Sequence, residues 1–405
     1  MTYSLSRFRH TKPAPPFEIG GEYQRRGPEH HLRDALGSVE LIGESELFAN
    51  LSDGDLVTVR AQNGDEFSLY IDQVRLVYKS QERFSLPPKP HAQRFVAFVD
   101  RVRDFFLRSG LTELITPTLV RCPGLEPSLE PFSTEVRFGQ QSQTAYLPTS
   151  PEIHLKKALG AGFSDIFEIK TCFRAGEFSN HHDSEFFMLE WYRSFADLKW
   201  IEADLRALLY SLAEDGWVYG RMPQVQETDF ASLFKTHLHF DLTPASSASE
   251  LKNLCDDLGV HNTPDDSFND LFHRLLFDRL EAEINKMGPV IIKRFPPSQA
   301  ALAKLDKDGW ADRFEFYWNG LEIANAFNEV TDPVEQLARW DLEKKERVRL
   351  GTSSLPHDPG LLRALRRGMP PTGGIALGLE RLYMAAARVD NIRDLKLFSI
   401  SDLFV

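Results

Sequence analysis

The segment Gly373-Gly374-Ile375-Ala376-Leu377-Gly378-Leu379-Glu380-Arg381 sets glycines ahead of an apolar run, with an arginine one turn into it. Small residues let a backbone approach a flat ligand closely. A planar guanidinium at Arg381 stacks on a base and pairs with phosphate. The pattern predicts a glycine-rich turn leading into a helix, and it equally suits a plain turn with a cap. Upstream, Asp165 to Cys172 partly alternates apolar and polar residues, and Phe187, Leu189 and Trp191 alternate beyond a loop. This predicts a hairpin with Arg174 and Glu177 on one arm and Glu190 and Tyr192 on the other. A surface hairpin with cross-strand charge pairs has the same pattern.

A third segment, Asp312 to Glu329, turns at Asn319-Gly320, a strong hairpin signal. Glu315 and Glu322 are expected to face each other across that turn. Two carboxylates without thiols or imidazoles suit a hard cation held between protein and phosphate. Asn325, Phe327 and Glu329 alternate by two, offering an amide, a ring and a carboxylate along one face. Such a face resembles a pocket for an amine with an apolar stem. An exposed hairpin with solvated charges is the other reading.

Together these segments resemble the class II aminoacyl-tRNA synthetases. Phe173-Arg174…Glu177 is similar to their motif 2, and Gly374…Gly378-Leu379-Glu380-Arg381 to motif 3. Phe95 to Arg108, followed by Gly110-Leu111-Thr112-Glu113-Leu114-Ile115-Thr116-Pro117, is similar to motif 1. Thr149-Ser150-Pro151-Glu152, Met188-Leu189-Glu190-Trp191-Tyr192 and Glu322 to Asp332 resemble the lysyl branch, and within it the paralogues that attach (R)-β-lysine to elongation factor P. The resemblance covers roughly residues 90 to 400 and rests on several motifs in order. It implies an α+β fold, a class II antiparallel sheet flanked by helices.

The resemblance also implies roles. An amino acid carboxylate attacks the α-phosphorus of ATP, so two anions meet and the site needs cations. Arg174 matches the motif 2 arginine between carboxylate and α-phosphate, and Arg381 the motif 3 arginine on the nucleotide. Gly176, Glu177, His182, Asp183, Glu322, Ile323 and Gly378 complete the implied ATP site. Glu315 and Glu322 match carboxylates that hold magnesium. Glu177 lies one place later than the usual Arg-x-Glu spacing, where Gly176 stands. Asp183-Ser184 replaces an Asn-Pro pair, so a carboxylate here would repel phosphates unless metal-bound. Glu190, Tyr192 and Glu329 match residues that hold the side-chain ammonium of lysine. Glu152 matches the carboxylate for the backbone amine. Ser150, Pro151, Asn325 and Phe327 line the same pocket. Ala376 stands where lysyl-tRNA synthetases carry glycine and the β-lysine-using paralogues carry alanine; one methyl shifts discrimination by roughly 1–3 kcal/mol.

These motifs need a scaffold. Phe95, Phe98, Val99, Val102, Phe105 and Phe106 recur at helical spacing, as core or as the homodimer seam the family implies. Residues 198–290 read mainly as helices, with no chemistry. Ser85-Leu86-Pro87-Pro88-Lys89-Pro90 is a stiff linker, which divides the chain into 1–84, an N-terminal extension and β unit, and 85–405, the catalytic domain. Ser38–Gly43, Asp55–Ala61 and Phe67–Tyr78 read as strands. They resemble the end of an OB-fold, truncated because too few residues follow the Thr11-Lys12-Pro13-Ala14-Pro15-Pro16 start for five strands.

The 405 residues carry a net charge of −12 and only short basic clusters, Arg25-Arg26, Lys344-Lys345-Glu346-Arg347 and Arg363 with Arg366-Arg367. That balance favours a compact protein partner over a long nucleic acid such as tRNA, and the resemblance implies elongation factor P as that partner. No apolar run spans a bilayer, no signal peptide is expected, and three scattered cysteines fit a reducing cytoplasm. Cys172, beside Arg174, reads as a buried structural thiol or one with a lowered pKa. Three functions stay open: ATP-dependent transfer of lysine or (R)-β-lysine to elongation factor P, a minimised lysyl-tRNA synthetase, and a non-catalytic regulatory subunit.

Overall fold

The computed structural model describes residues 2–5, 8–9, 13–34, 37–64, 67–80, 89–124 and 126–404. Most of the proline-rich linker, and Thr11-Lys12, lie outside them. The chain divides into two compact units, Met1–Pro88 and Lys89–Val405.

In the first unit, β1 (Thr2–Ser4) runs parallel to β2 (Phe17–Arg26), followed by β3 (Glu29–Asp34), β4 (Gly37–Ile42), β5 (Leu56–Gly64) and β6 (Ser68–Tyr78). Strands pair in the order β2-β3-β4-β6-β5, and β5 returns to β2, so five strands close into a ring. The β4–β6 pairing is parallel. This is the connectivity of an OB barrel, and it corrects the expectation of a truncated one. The sequence reading missed β2 and β3, because Gly20-Gly21 and charged residues interrupt their alternation. The interruption has a cause: a Cβ on Gly21 would lie 2.8 Å from the Leu32 side chain. Closure fills the barrel with Ile19, Leu32, Val39, Val59, Ala61 and Leu69. Phe67, Tyr70 and Tyr78 are exposed.

The second unit begins with α1 (Ala92–Arg108), β7 (Thr112–Glu113), the hairpin β8 (Ser133–Phe138) and β9 (Gln141–Tyr146), and α2 (Glu152–Ala161). Then come β10 (Ile166–Phe173), β11 (Glu185–Ser194) and α3 (Leu198–Glu214). The stretch expected to be helical holds β12 (Gln226–Asp229), α4 (Phe230–Leu238), α5 (Ala248–Leu258), α6 (Phe268–Leu275) and α7 (Glu281–Lys286), before β13 (Val290–Phe295). The C-terminal part is β14 (Ala311–Trp318), β15 (Leu321–Asn328), α8 (Pro333–Arg349), α9 (Pro359–Gly368), β16 (Thr372–Gly378) and α10 (Leu379–Ala387). One eight-stranded sheet runs β12-β13-β14-β15-β16-β11-β10-β7, antiparallel except at its two edge pairings.

Directly opposed residues share a face of a sheet. Phe167, Leu189, Trp191, Ile375, Leu377 and Phe316 point to one side, against α1, α3 and α10, in a continuous core. The α1 stripe belongs to that core: Phe95, Phe98, Val102 and Phe106 are buried. A separate core joins α4–α7 to β13, which accounts for the helical insertion as packing. The opposite sheet face is polar. One row across it reads Glu168, Glu190, Ala376, Asn325, Glu315; the next reads Ile166, Tyr192, Gly374, Phe327, Arg313.

The glycines of motif 3 therefore lie in a strand, not in the expected turn. Gly373 and Gly374 are buried in β16, and what they admit is other side chains. A Cβ on Gly374 would lie 2.4 Å from both Glu329 Oε1 and Tyr192 Cε1. Gly374→Ala is expected to destabilise the protein by about 1–3 kcal/mol through overpacking, read as a lowered urea midpoint; an unchanged midpoint would contradict this packing.

Candidate active site

The polar sheet face floors a cavity of about 310 Å³ lined by Ser150, Glu152, Arg174, Glu177, His182, Asp183, Glu190, Glu322, Ile323, Asn325, Phe327, Ala376, Gly378 and Arg381. Most of the residues singled out by the sequence thus meet in one place. Pro151, Gly176, Tyr192, Glu315 and Glu329 do not line it. Pro151 caps α2, and Gly176 serves a turn at φ +79°. Tyr192 and Glu329 are buried just behind the wall, where the Tyr192 hydroxyl donates to Glu190 at 2.9 Å.

The acidic end is organised by a residue the sequence reading passed over. Lys156 is 1% exposed and its ammonium lies between the carboxylates of Glu152 and Glu329, the latter at 2.6 Å. Burial disfavours that charge, but Glu152 and Glu329 hold the ammonium above its ordinary pKa. Glu152 and Lys156 stand one turn apart on α2, a spacing that was visible in the sequence. Burial raises the Glu329 carboxyl to about 7 despite Lys156. Burial and the nearby Glu152 push Glu190 well above the carboxylate range. Glu126, from the loop before β8, and Gln336, Trp340 and Glu343, from one face of α8, complete this end. Burial, then Glu126, raises Glu343 to about 8. The helical spacing of the last three was the only sequence signal for them.

At the other end Arg174 lies in the loop after β10. Its backbone N–H donates to Ser184 O at 3.0 Å, and its guanidinium sits 5.0 Å above the Phe186 ring. Glu177 is 3.8 Å away, and the buried Arg174 Nε has no hydrogen-bond partner. A cation so lightly engaged is poised for an anion. Arg381, in the first turn of α10, donates to Glu322 O at 2.9 Å and to His182 Nε2. His182 is therefore the acceptor at Nε2, and burial with the adjacent Arg381 lowers its pKa.

Glu315 and Glu322 share a face but are not directly opposed. A bulge makes Glu322 face Tyr317 while Glu315 faces Asn325. Glu315 accepts from Arg313 and, at 2.6 Å, from Tyr317. Glu322 reaches the cavity, and burial and its neighbour Glu315 raise its carboxyl to about 7. Among the described residues no group of three or more His, Cys, Asp or Glu is placed to hold a metal by itself. Cys172 is buried, and burial raises its thiol pKa, which removes the reading of a lowered one.

Asp183 resolves the charge problem of the altered loop. It is 3% exposed and pairs with Lys396 at 2.8 Å, a cation far away in the sequence. The basic cluster at 344–347 is not a surface patch throughout, since Arg347 is 0% exposed.

This sheet and the loops around it define a class II synthetase domain: residues 91–402 match the family of class II tRNA synthetases (D, K and N), and the chain belongs to it. Among relatives, an elongation factor P–(R)-β-lysine ligase of Haemophilus influenzae is 35% identical over 321 residues, 78% of this chain and 96% of that protein. Proteins of the same name from Mannheimia succiniciproducens and Enterobacter sp. are 34% and 32% identical, covering 75% and 77% of this chain and 93% and 95% of their own lengths.

Lys396→Ala should leave Asp183 buried without its cation, at roughly 1–3 kcal/mol. Adding Asp183→Asn should recover part of that loss in a thermal melt. A double variant no more stable than Lys396→Ala alone would break the argument.

Proposed function

We propose that this protein activates lysine or (R)-β-lysine with ATP and transfers the aminoacyl group to a lysine side chain of elongation factor P. The carrying observation is the acidic end of the cavity, where Glu152 and Glu329 flank the ammonium of Lys156 and Glu126, Glu190 and Glu343 lie within electrostatic reach of it. Buried carboxylates in that excess call for a cationic ligand, and an amino acid with two amines supplies two charges. The names of the relatives support the same substrates and acceptor.

On this reading Glu190 receives the side-chain amine, backed from behind the wall by Tyr192, which donates to it, and by Glu329; Glu152 takes the backbone amine, and Phe327 the apolar stem. Ala376, between Glu190 and Asn325 on the sheet, sets the floor. Arg174 draws the carboxylate and the α-phosphate together, and in-line attack expels pyrophosphate. Arg381, positioned by the carbonyl of Glu322, holds the nucleotide beside His182, with Glu177, Ile323 and Gly378 around it. The carboxyl pair fits magnesium: Glu322 would anchor the ion, with Glu315 behind it, and repulsion between them would be relieved. When bound, the ion neutralises phosphate charge. A homodimer is proposed from the family resemblance, with Ile115, 96% exposed, at the seam. No described helix is long and apolar enough to cross a membrane, and a cytoplasmic setting is proposed.

A second reading, tRNA charging, draws support from the closed N-terminal barrel and its exposed Phe67, Tyr70 and Tyr78. The surface of an OB barrel that commonly reads nucleic acid is its second and third strands with adjoining loops, including that between the fourth and fifth strands; here those strands offer Glu29, Arg33, Ser38 and Glu40, without an exposed ring, and that loop carries Phe67. That composition and the net charge of −12 favour the protein acceptor.

Arg174→Ala should cut lysine- or β-lysine-dependent ATP–pyrophosphate exchange by at least ~10²–10³-fold, with circular dichroism unchanged; wild-type exchange would remove Arg174 from the chemistry. Labelled (R)-β-lysine should pass to purified elongation factor P and little to bulk tRNA, whereas efficient tRNA charging with an unmodified factor would install the second reading.

A further inference from the structure

The reaction proposed above brings a third amine into the cavity. The substrate's two amines and its carboxylate have partners, but the acceptor amine must also enter and lose a proton before it can attack. Two carboxylates of the acidic end and one amide that lines it have not been assigned to either substrate amine.

Glu126 and Glu343 come from different elements, and Arg347 joins them. Fully buried on α8, Arg347 donates to the carbonyls of Glu126 at 2.9 Å and Leu129 at 2.7 Å, and to the Glu130 carboxylate at 2.9 Å. Glu343 lies one helical turn before Arg347, so the clamp that fixes the loop also fixes Glu126 near Glu343. Gln336, two turns before Glu343, faces the same cavity. It is 1% exposed, yet neither its side-chain nitrogen nor its oxygen has a hydrogen-bond partner. Oε2 of Glu126 has none either. Buried polar atoms are nearly always paired, so unpaired ones lining a cavity point to a polar ligand.

Charge selects that ligand. The charged groups facing Glu343 are Glu126 and Glu152, which oppose its ionisation, and Lys156 and Arg339, which favour it. Lys156 is committed to Glu152 and Glu329, and Arg339 donates to Glu335 and to Ala301 O. Position selects the moment of binding. Glu126 lines the same cavity as Glu152 and Arg174 and is within electrostatic reach of both the backbone-amine carboxylate and the arginine assigned to the reacting carboxyl group.

We propose that Glu126, Glu343 and Gln336 form a second amine subsite, which receives the primary amine of the acceptor and takes its proton during transfer. The inference rests on the function proposed above. The acceptor ammonium gives one proton to Glu343. Its nitrogen lone pair then bonds to the carbonyl carbon of the adenylate, the carbon–oxygen bond to phosphate breaks, and AMP leaves with that electron pair. The second proton passes from the new amide nitrogen to water. A carboxyl raised to about 8 is matched to this task at neutral pH.

The test separates the two half-reactions. Adenylate is formed on the enzyme, then mixed in single turnover with elongation factor P or with Nα-acetyl-lysine methylamide; pyrophosphate exchange is measured in parallel. Glu343→Gln should slow transfer on the order of 10²-fold, far more than it slows exchange. It should also remove the rise of the transfer rate with pH, and Glu343→Asp should restore part of both. Gln336→Leu, which changes no charge, should raise the acceptor concentration needed. Transfer and exchange falling by the same factor, or transfer keeping its wild-type rate and pH profile in Glu343→Gln, would overturn the subsite. An enzyme that leaves the factor unmodified but acylates the small amine in a Glu343-dependent way keeps the subsite and removes the protein acceptor.

Discussion

The catalytic unit is organised around the compensation of buried negative charge. Glu152, Glu190 and Glu329 converge under a sheet from a helix and two strands, and such a cluster would be forced apart or neutralised if left alone. Lys156 makes it tolerable. It lies between Glu152 and Glu329 at 1% exposure, tying α2 to the end of β15. It does not neutralise everything: burial still raises Glu190, Glu329 and Glu343. The fold thus stores a demand for positive charge, which a doubly cationic amino acid meets.

The sheet supplies the precision. Directly opposed residues place Glu190, Ala376 and Asn325 in one row and Tyr192, Gly374 and Phe327 in the next. These spacings are fixed by strand geometry, while the apolar reverse face is locked against α1, α3 and α10. The groups proposed to bind the anions sit on loops and on the first turn of a helix instead. Arg174 and His182 belong to the connection between β10 and β11, and Asp183 in that connection is neutralised by Lys396. On the proposed function, selection of the amine would lie on the sheet, and handling of the nucleotide on the loops and the helix start.

Much of this was legible in the sequence. Asn319-Gly320 gave its hairpin, and the alternation of Phe187, Leu189 and Trp191 gave β11 and the face of Glu190 and Tyr192. What was not legible has physical reasons. Gly373 and Gly374 resemble a turn, but their missing side chains make room for Ile201, Tyr192 and Glu329, and only the three-dimensional neighbours reveal that. Lys396 lies far from Asp183 along the chain. The strands of the N-terminal barrel with interrupted alternation escaped a period-two reading, because barrel closure selects for small residues where walls meet. Glu126 and Glu343 are joined through Arg347, which stands in a short basic run with nothing in its spacing to mark it as buried.

On the proposed function, the raised carboxyls in the cavity and behind its wall await an ammonium. Their protonated fraction near pH 7 should ionise when the amine arrives, so binding should release protons and tighten as pH rises from about 6 to 8. Calorimetric titration with (R)-β-lysine in buffers of different ionisation enthalpy measures this directly, with norleucine as the uncharged-chain control. The account predicts proton release with (R)-β-lysine and no measurable binding of norleucine. Buffer-independent heats with a pH-independent affinity, or equal binding of norleucine, would contradict it.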